Sequence, residues 1–500
     1  MAMQYIGRSK GFKVPLEDDN GNKIFNLIWG DPVHEIERIG DRVKVTARRD
    51  YTGWLDASCL ADQGLLELYI IDVGQGDGVL LRTPNDKWHL VDAGVASIKQ
   101  MTKKGTANFL RWKFINDLRN DKISLANVIV THPDSDHYGG LLDLFSGHLF
   151  NNQDGTPDRT FEIEVENYYH SGIPCFKGNP PMGVLTEGEV APFPHDGPGN
   201  LTRTGKFVTE LLNDKDTFAN PVREFDTEFE RLAELIVKVP QNVSRLSHLD
   251  QHLPGYGPQD GDVTISVLGP VLEEFAPGMR GLRYLQSESV TRNGHSIVLR
   301  LDYGQARILL TGDLNSESHR LLLRYYEPDE FAVDVAKACH HGAKDIEFDF
   351  LKAMKARATV ASSGDNEAYS HPRPAALGAS ARYGREALDA KGKLLPPLLY
   401  STELARSIEL SFALSVQVPV QGDDEDSQDT VEIQPNKTKI KSRETDARFR
   451  RLPLLPLATD LIYGLVNVRT DGQMVMCATM LENGIDFDVE VFRAGVDPPA

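Results

Sequence analysis

The heptapeptide Thr131-His132-Pro133-Asp134-Ser135-Asp136-His137 follows directly on the apolar run Asn127-Val128-Ile129-Val130. Two imidazoles and two carboxylates crowded at the end of a predicted strand carry a desolvation cost that a bound cation offsets most simply. His132 and Asp134 are two apart and project to the same side of an extended chain. Asp136 and His137 fall where the chain turns into Tyr138-Gly139-Gly140-Leu141-Leu142, a predicted helix. The competing reading of such a run is a solvated polar loop. That alternative weakens further along the chain. Ile308-Leu309-Leu310 runs into Thr311-Gly312-Asp313, and Val333 to Cys339 runs into His340-His341-Gly342, so each predicted strand delivers a metal-capable side chain at its C-terminal tip.

Taken in order, His132-x-Asp134-x-Asp136-His137, Leu310-Thr311-Gly312-Asp313-Leu314 and His340-His341-Gly342 resemble the successive metal motifs of the metallo-β-lactamase fold. The narrower resemblance is to the soluble hydrolase domain of the DNA-uptake protein ComEC and its free-standing relatives. It is carried by Asp72-Val73-Gly74-Gln75-Gly76-Asp77-Gly78, Leu90-Val91-Asp92-Ala93-Gly94 and Tyr369-Ser370-His371-Pro372-Arg373-Pro374. The resemblance implies an α/β fold, the metallo-β-lactamase αβ/βα sandwich. It also implies one or two divalent ions held by His132, Asp134, Asp136, His137, Asp313 and His341. His341 is preferred to His340 because it immediately precedes the glycine. Asp134 stands where the commonest form of the motif has His. A carboxylate there adds a hard, charged donor and moves preference toward Mn²⁺ or Mg²⁺ relative to Zn²⁺. The metal is expected to be Zn or Mn, with Mg as a further option.

The family's remaining ligand is commonly a His before the Asp313 motif, and this chain offers Asn293-Gly294-His295-Ser296 there. His295 is carried as a provisional seventh ligand, against the bland reading of a hydrogen-bonded imidazole. Asp92 is read as a brace for the metal loop. Asp136 doubles as the residue that steers the proton of a metal-activated water, a role the resemblance implies. His371 is a candidate proton donor to the leaving oxygen or a phosphate contact beside Arg373, set against a structural histidine at a proline turn. Lys344 and His170 complete the candidate substrate contacts. The expected activity is hydrolysis of a phosphodiester in nucleic acid or a nucleotide. The alternatives are hydrolysis of another ester, amide or thioester, or a docking protein with a structural metal site.

The net charge of −19 argues against a long duplex track, because proteins that rely on counterion release are normally basic. A metal and local arginines still suffice for one phosphodiester in a cleft. No apolar stretch of about 20 residues is present, so neither a membrane span nor a membrane partner is expected. Cys59, Cys175, Cys339 and Cys477 have no paired spacing, which argues against a disulfide framework or thiolate zinc site and for a reducing cytoplasm.

Residues 1–62 alternate apolar and polar positions around Gly40-Asp41, which is hairpin grammar. With Gly53-Trp54 they resemble a bacterial Src-homology-3-like β-barrel, a possible protein-docking module. The hydrolase domain is expected over 63–420, with a helix over 98–120 and a cleft-shaping insertion at about 175–260 between the sheet halves. A polar linker is expected at 421–451. A β meander is expected at 452–500, packed on the hydrolase domain.

Overall fold

The computed structural model describes residues 3–100, 105–149, 159–190, 203–363, 370–402, 464–481 and 485–497, with the backbone of strands Ser407–Gln417, Glu432–Asn436 and Pro456–Ile462. Two sheets face each other. The first has nine strands in the order Pro240–Arg245, Ile163–His170, Ile123–Val130, Trp88–Ala93, Gly78–Arg82, Leu66–Ile71, Leu465–Thr470, Met474–Met480 and Phe487–Arg493. The second has six, in the order Val263–Gly269, Val298–Tyr303, Ala306–Leu310, Val335–Lys337, Ala358–Ala361 and Leu398–Ser401.

Leu66–Ile71 is buried at every position, as a strand covered on both faces must be. Leu66, Leu68 and Ile70 meet Leu299, Leu301 and Ile308 of the second sheet, while Tyr69 and Ile71 turn outward to the helices. Helices Thr106–Arg111, Ser135–Ser146 and Thr227–Lys238 cover the outer face of the first sheet. Ser316–Tyr325, Phe348–Met354 and Pro374–Tyr383 cover that of the second. The result is the αβ/βα sandwich that the motif order implies. Among the described residues no helix is long and apolar enough to cross a membrane, and all four cysteines are buried and unpaired.

Several expectations are corrected. The C-terminal strands share the core between the two sheets and, beyond packing there, extend the first sheet itself. Leu465–Thr470 pairs antiparallel with Leu66–Ile71, Val468 opposite Leu68, because that buried strand would otherwise present an open edge. The stretch 175–260 is not one insertion. Helix Thr227–Lys238 packs Phe229, Leu232 and Ile236 on the main sheet, and Pro240–Arg245 is that sheet's parallel edge strand. The true appendage is a four-stranded antiparallel sheet of Leu185–Val190, Arg203–Val208, Met279–Arg283 and Glu273–Ala276, assembled from two separate stretches of chain. The helix expected over 98–120 begins at Thr106 and widens into a π turn over Trp112–Asp117. Within the expected linker at 421–451, Glu432–Asn436 pairs with Ser407–Gln417, and the rest lies outside the described residues.

Residues 4–61 form a separate seven-stranded antiparallel sheet around Val14, Leu16, Phe25, Leu27, Val43, Val45 and Leu55. It is docked rather than tethered: Ile28, Trp29 and Leu65 share a core with Met474, Met476, Ala478 and Phe487. Buried beside them, Arg469 donates to Asp31 at 2.9 Å and to the Trp29 carbonyl at 2.7 Å.

Candidate metal centre

The centre lies where loops from the C-terminal tips of both sheets meet. Strand Ile123–Val130 ends at Thr131, and helix Ser135–Ser146 begins three residues beyond His132. Asp134 occupies the N-cap position, yet its carboxylate makes no cap hydrogen bond and faces the site instead. The helix approaches the sheet so closely that a Cβ at Gly140 would stand 2.1 Å from the Ala93 carbonyl oxygen. Gly76, at φ +98°, lets the loop before Gly78–Arg82 lie on the helix start, since a Cβ there would stand 1.6 Å from the Asp136 carbonyl oxygen. These glycines bring Asp77 to the motif.

Asp77, His137, Asp313 and His341 are all buried, and one ligand-capable atom from each lies within 4.8 Å of the others. His137 Nε2 stands 3.2 Å and His341 Nε2 3.0 Å from Asp313 Oδ2, and His341 Nδ1 stands 3.1 Å from Asp77 Oδ1. His132 adjoins them, its ring centroid 4.0 Å from that of His137. Asp136 Oδ2 lies 3.8 Å from His341 Nε2 and accepts from Gln75 Nε2 at 3.3 Å. Asp134 lies 3.8 Å from His132 Nε2 and 3.3 Å from the Nε of Arg292. His340 is 3.6 Å from Asp313, and the His371 ring stands 5.6 Å from that of His340. His340 (φ 47°), His341 (φ 55°) and Asp92 (φ 57°) all adopt left-handed backbone, a local strain that concentrates at functional sites.

Asp92 braces the motif: its carboxylate accepts from Thr131 N and Thr131 Oγ1, both at 2.7 Å, and from His137 Nδ1 at 2.8 Å. Ser296 Oγ lies 3.2 Å from His132 Nδ1 and accepts from Asp313 N at 3.0 Å. Both imidazoles are thus oriented through Nδ1, which leaves Nε2 to the centre. Buried His132 Nε2, His137 Nε2, His341 Nε2 and Asp313 Oδ1 make no hydrogen bond. Buried polar atoms without partners are costly, and a nitrogen and oxygen donor set of this kind suits a divalent ion, so the residues fit the metal.

Burial alone would raise the Asp313 carboxyl, but the imidazoles of His341 and His137 hold it well below the usual range. Burial opposes charge on His341 too, yet Asp313 and Asp77 lift it to about 10. His137 is raised well above its ordinary value by Asp313 and Asp92 against the same burial. His132, buried with no carboxylate so close, is lowered instead. Burial pushes Asp134 up to about 6, with Arg292 opposing. The buried ammonium of Lys337 is ion-paired to Asp77, donates to the Gly312 carbonyl at 2.8 Å and lies 3.5 Å from Asp313.

Two sequence-based candidates are overturned. His295 is buried but turns away from the centre, its Nε2 donating to the Arg283 carbonyl at 2.7 Å, because the chain leaving helix Glu288–Gly294 presents Ser296 to the site instead. His170 ends its strand on the helix-facing side, stacked on Tyr168 and edge-on to Phe218, and burial pushes it down to about 3. It is a neutral core imidazole. Lys344 is exposed, and Arg373 adjoins the last motif through its backbone N–H, which donates to the Gly342 carbonyl at 2.8 Å. Asp77, Lys337, Ser296, Gln75 and Arg292 were not assigned roles from the sequence. A carboxylate closing a glycine-rich loop and a lysine inside a buried parallel strand were the available signals.

Residues 71–148 match the Metallo-beta-lactamase superfamily. The chain is 36% identical over 95 residues to "Competence protein ComA" of Neisseria gonorrhoeae, and 29% identical over 91 residues to "ComE operon protein 3" of Bacillus subtilis. These alignments span 19% and 18% of this chain but only 14% and 12% of the relatives. Among solved structures, the metallo-beta-lactamase fold protein YhfI from Bacillus subtilis aligns at 11% identity and a TM-score of 0.31, covering 67% of this chain and 97% of that one. The family match holds the first histidine motif, Asp77 and Asp92, so the chain carries a metallo-beta-lactamase domain whose buried donors can hold a divalent ion.

Proposed function

We propose that this protein is a metal-dependent phosphodiesterase acting on nucleic acid or a nucleotide. The observation that carries the reading is the buried Asp77, His137, Asp313 and His341 cluster, with its two imidazole Nε2 atoms in no hydrogen bond. The segment similarity to a competence protein favours a nucleic-acid substrate over other esters.

His132, His137, His341, Asp313 and Asp77 would hold the ion, with Asp134 and Asp136 at its edge. When bound, a divalent ion lowers the pKa of a coordinated water to about 7 and polarises a phosphoryl oxygen. The chain's own groups do the rest. Asp92 fixes His137 as the Nδ1–H tautomer, and Ser296 steadies His132. Lys337 compensates the adjoining carboxylates of Asp77 and Asp313, which would otherwise repel a phosphate. Asp136, held by Gln75 at the open side, accepts the proton of the attacking water. His371 lines the same opening beside His340, and its ring is placed to protonate the leaving oxygen. Arg292 stands at the mouth to meet an anionic group.

The test is hydrolysis of end-labelled single-stranded DNA and of a generic phosphodiester ester by protein stripped with chelator and reloaded with Mn²⁺, Mg²⁺ or Zn²⁺. Metal-dependent cleavage lost in Asp313→Ala, with the circular dichroism spectrum retained, is the expected result. Failure on every phosphodiester with all three metals would defeat the reading.

A further inference from the structure

The appendage sheet and the edge of the main sheet border an open cavity of about 510 Å³, outside the acidic centre and lined by Arg245, Arg280, Glu274, Asn213, Leu249 and Leu272. Arg245 ends the edge strand Pro240–Arg245, and its backbone is held by a 2.9 Å hydrogen bond to the Asn213 carbonyl. Its side chain crosses the main-sheet rim over Gly172. A Cβ on that glycine, at φ +92°, would stand 2.3 Å from Arg245 Cδ, so the glycine is what admits the arginine.

The Arg245 guanidinium is half-buried and forms no ion pair or hydrogen bond among the described residues. The Asp250 carboxylate, which acts on it through space, is hydrogen-bonded to Ser247 N at 2.8 Å and Ser247 Oγ at 3.3 Å. Across the cavity, Arg280 is engaged only loosely, 3.6 Å from Glu274. Leu249, on the cavity wall, exposes 43% of its surface, far more than its apolar character favours. A cavity lined by two arginines against the single carboxylate of Glu274, with Arg245 in no ion pair and Leu249 and Leu272 on its wall, is arranged for an anion carrying an apolar group.

Its place relative to the metal centre fixes which anion. In register, Arg245 lies opposite His170 and His170 opposite Val130, so Arg245 sits two strand spacings, about 10 Å, from the residue that leads into Thr131-His132 on the same rim. That is the axial length of about three nucleotides of a stacked strand. We infer that the Arg245 cavity is a subsite for a phosphate of single-stranded nucleic acid, about three nucleotides from the bond placed at the metal centre. The inference rests on the phosphodiesterase reading, and it makes the substrate a strand rather than a mononucleotide.

Two measurements on the full chain test it, with wild type compared with Arg245→Gln and Arg245→Lys. In chelator, anisotropy of fluorescein-labelled hexathymidylate should show about tenfold weaker binding in Arg245→Gln, partial recovery in Arg245→Lys, and a salt slope smaller by about one in the glutamine variant. With metal, kcat/KM should rise about tenfold from a dinucleotide to a hexanucleotide in wild type, and that gain should collapse in Arg245→Gln. Equal hexamer affinity in wild type and Arg245→Gln, or an undiminished length gain, would overturn the subsite. Arg245-dependent binding without cleavage of any phosphodiester would leave the subsite standing and remove the hydrolase reading.

Discussion

Asp92→Asn isolates the role of a residue that touches no substrate. The Asp92 carboxylate accepts three hydrogen bonds, from Thr131 N, Thr131 Oγ1 and His137 Nδ1. An asparagine has one accepting oxygen, and keeping the buried Thr131 N–H satisfied assigns that oxygen to the backbone. The amide NH₂ then meets His137 Nδ1, which must become an acceptor, so the ring proton moves to Nε2. Nε2 is the atom 3.2 Å from Asp313 that a cation needs unprotonated. Loss of such an outer carboxylate costs about 10- to 100-fold in metal affinity, or roughly 1.4 to 2.7 kcal/mol. Competition against a chromophoric chelator measures the affinity. An unchanged dissociation constant would refute the reasoning.

Stability of the ion-free protein should peak near neutral pH. Burial pushes His89, His170 and His319 down to about 3 and His248 and His295 to about 4, so their contribution is complete above the unfolded value near 6.5 and is lost as pH falls below it. The slope is about 1.4 kcal/mol per pH unit for each such residue. His341, raised to about 10, has the opposite sign: its contribution is complete below about 6.5 and is lost as pH climbs toward 10. Denaturant melts across pH should therefore fall on both sides, and bound metal should flatten the alkaline limb, because a ligating imidazole is already neutral. A monotonic profile without metal would contradict the assignment. Gly140→Ala sets a methyl 2.1 Å from the Ala93 carbonyl and should lower stability by about 1 to 3 kcal/mol or more, read from the denaturation midpoint. Arg469→Met takes one of two guanidiniums from Asp31 and from Glu67, which keep Arg48 at 3.8 Å and Arg82 at 3.3 Å, and should cost about 1 to 3 kcal/mol, with a midpoint unchanged within error as the contrary result.

The sandwich and most of the centre were legible because their signals are local. Each motif ends an apolar run, and side chains at strand tips share a rim however the strands are ordered. What failed depended on which way one residue turns. His295 and Ser296 are adjacent, and only the chain path out of helix Glu288–Gly294 decides which faces Asp313. His170 shares a rim with the motif but points into the aromatic layer beneath the helices. Pro240–Arg245 is nearly all polar in sequence, so no period marks it as the sheet edge, and its burial comes from neighbours distant in the chain. The joining of the C-terminal strands to Leu66–Ile71 spans some four hundred residues, a pairing that no window of sequence contains.

The donors come from both halves of the sandwich. Asp77 and His137 follow strands of the first sheet, His137 in the first turn of helix Ser135–Ser146, and Asp313 and His341 follow strands of the second. Carboxylates and imidazoles drawn from two sheets are held together without an ion by His341 and Lys337, whose positive charges sit against Asp77 and Asp313. A divalent cation placed among them replaces the proton on His341 and ties the sheets through stronger bonds, so its binding energy is also energy against separation of the halves. Stabilisation by metal should therefore grow with its free concentration, by about 2.7 kcal/mol at a hundredfold excess over the dissociation constant. It should also vanish in Asp313→Ala, the one substitution that removes the carboxylate both imidazoles share. Metal that binds tightly but leaves the melting temperature where it was would mean that the unfolded chain holds the ion as well as the folded one, and would refute this account.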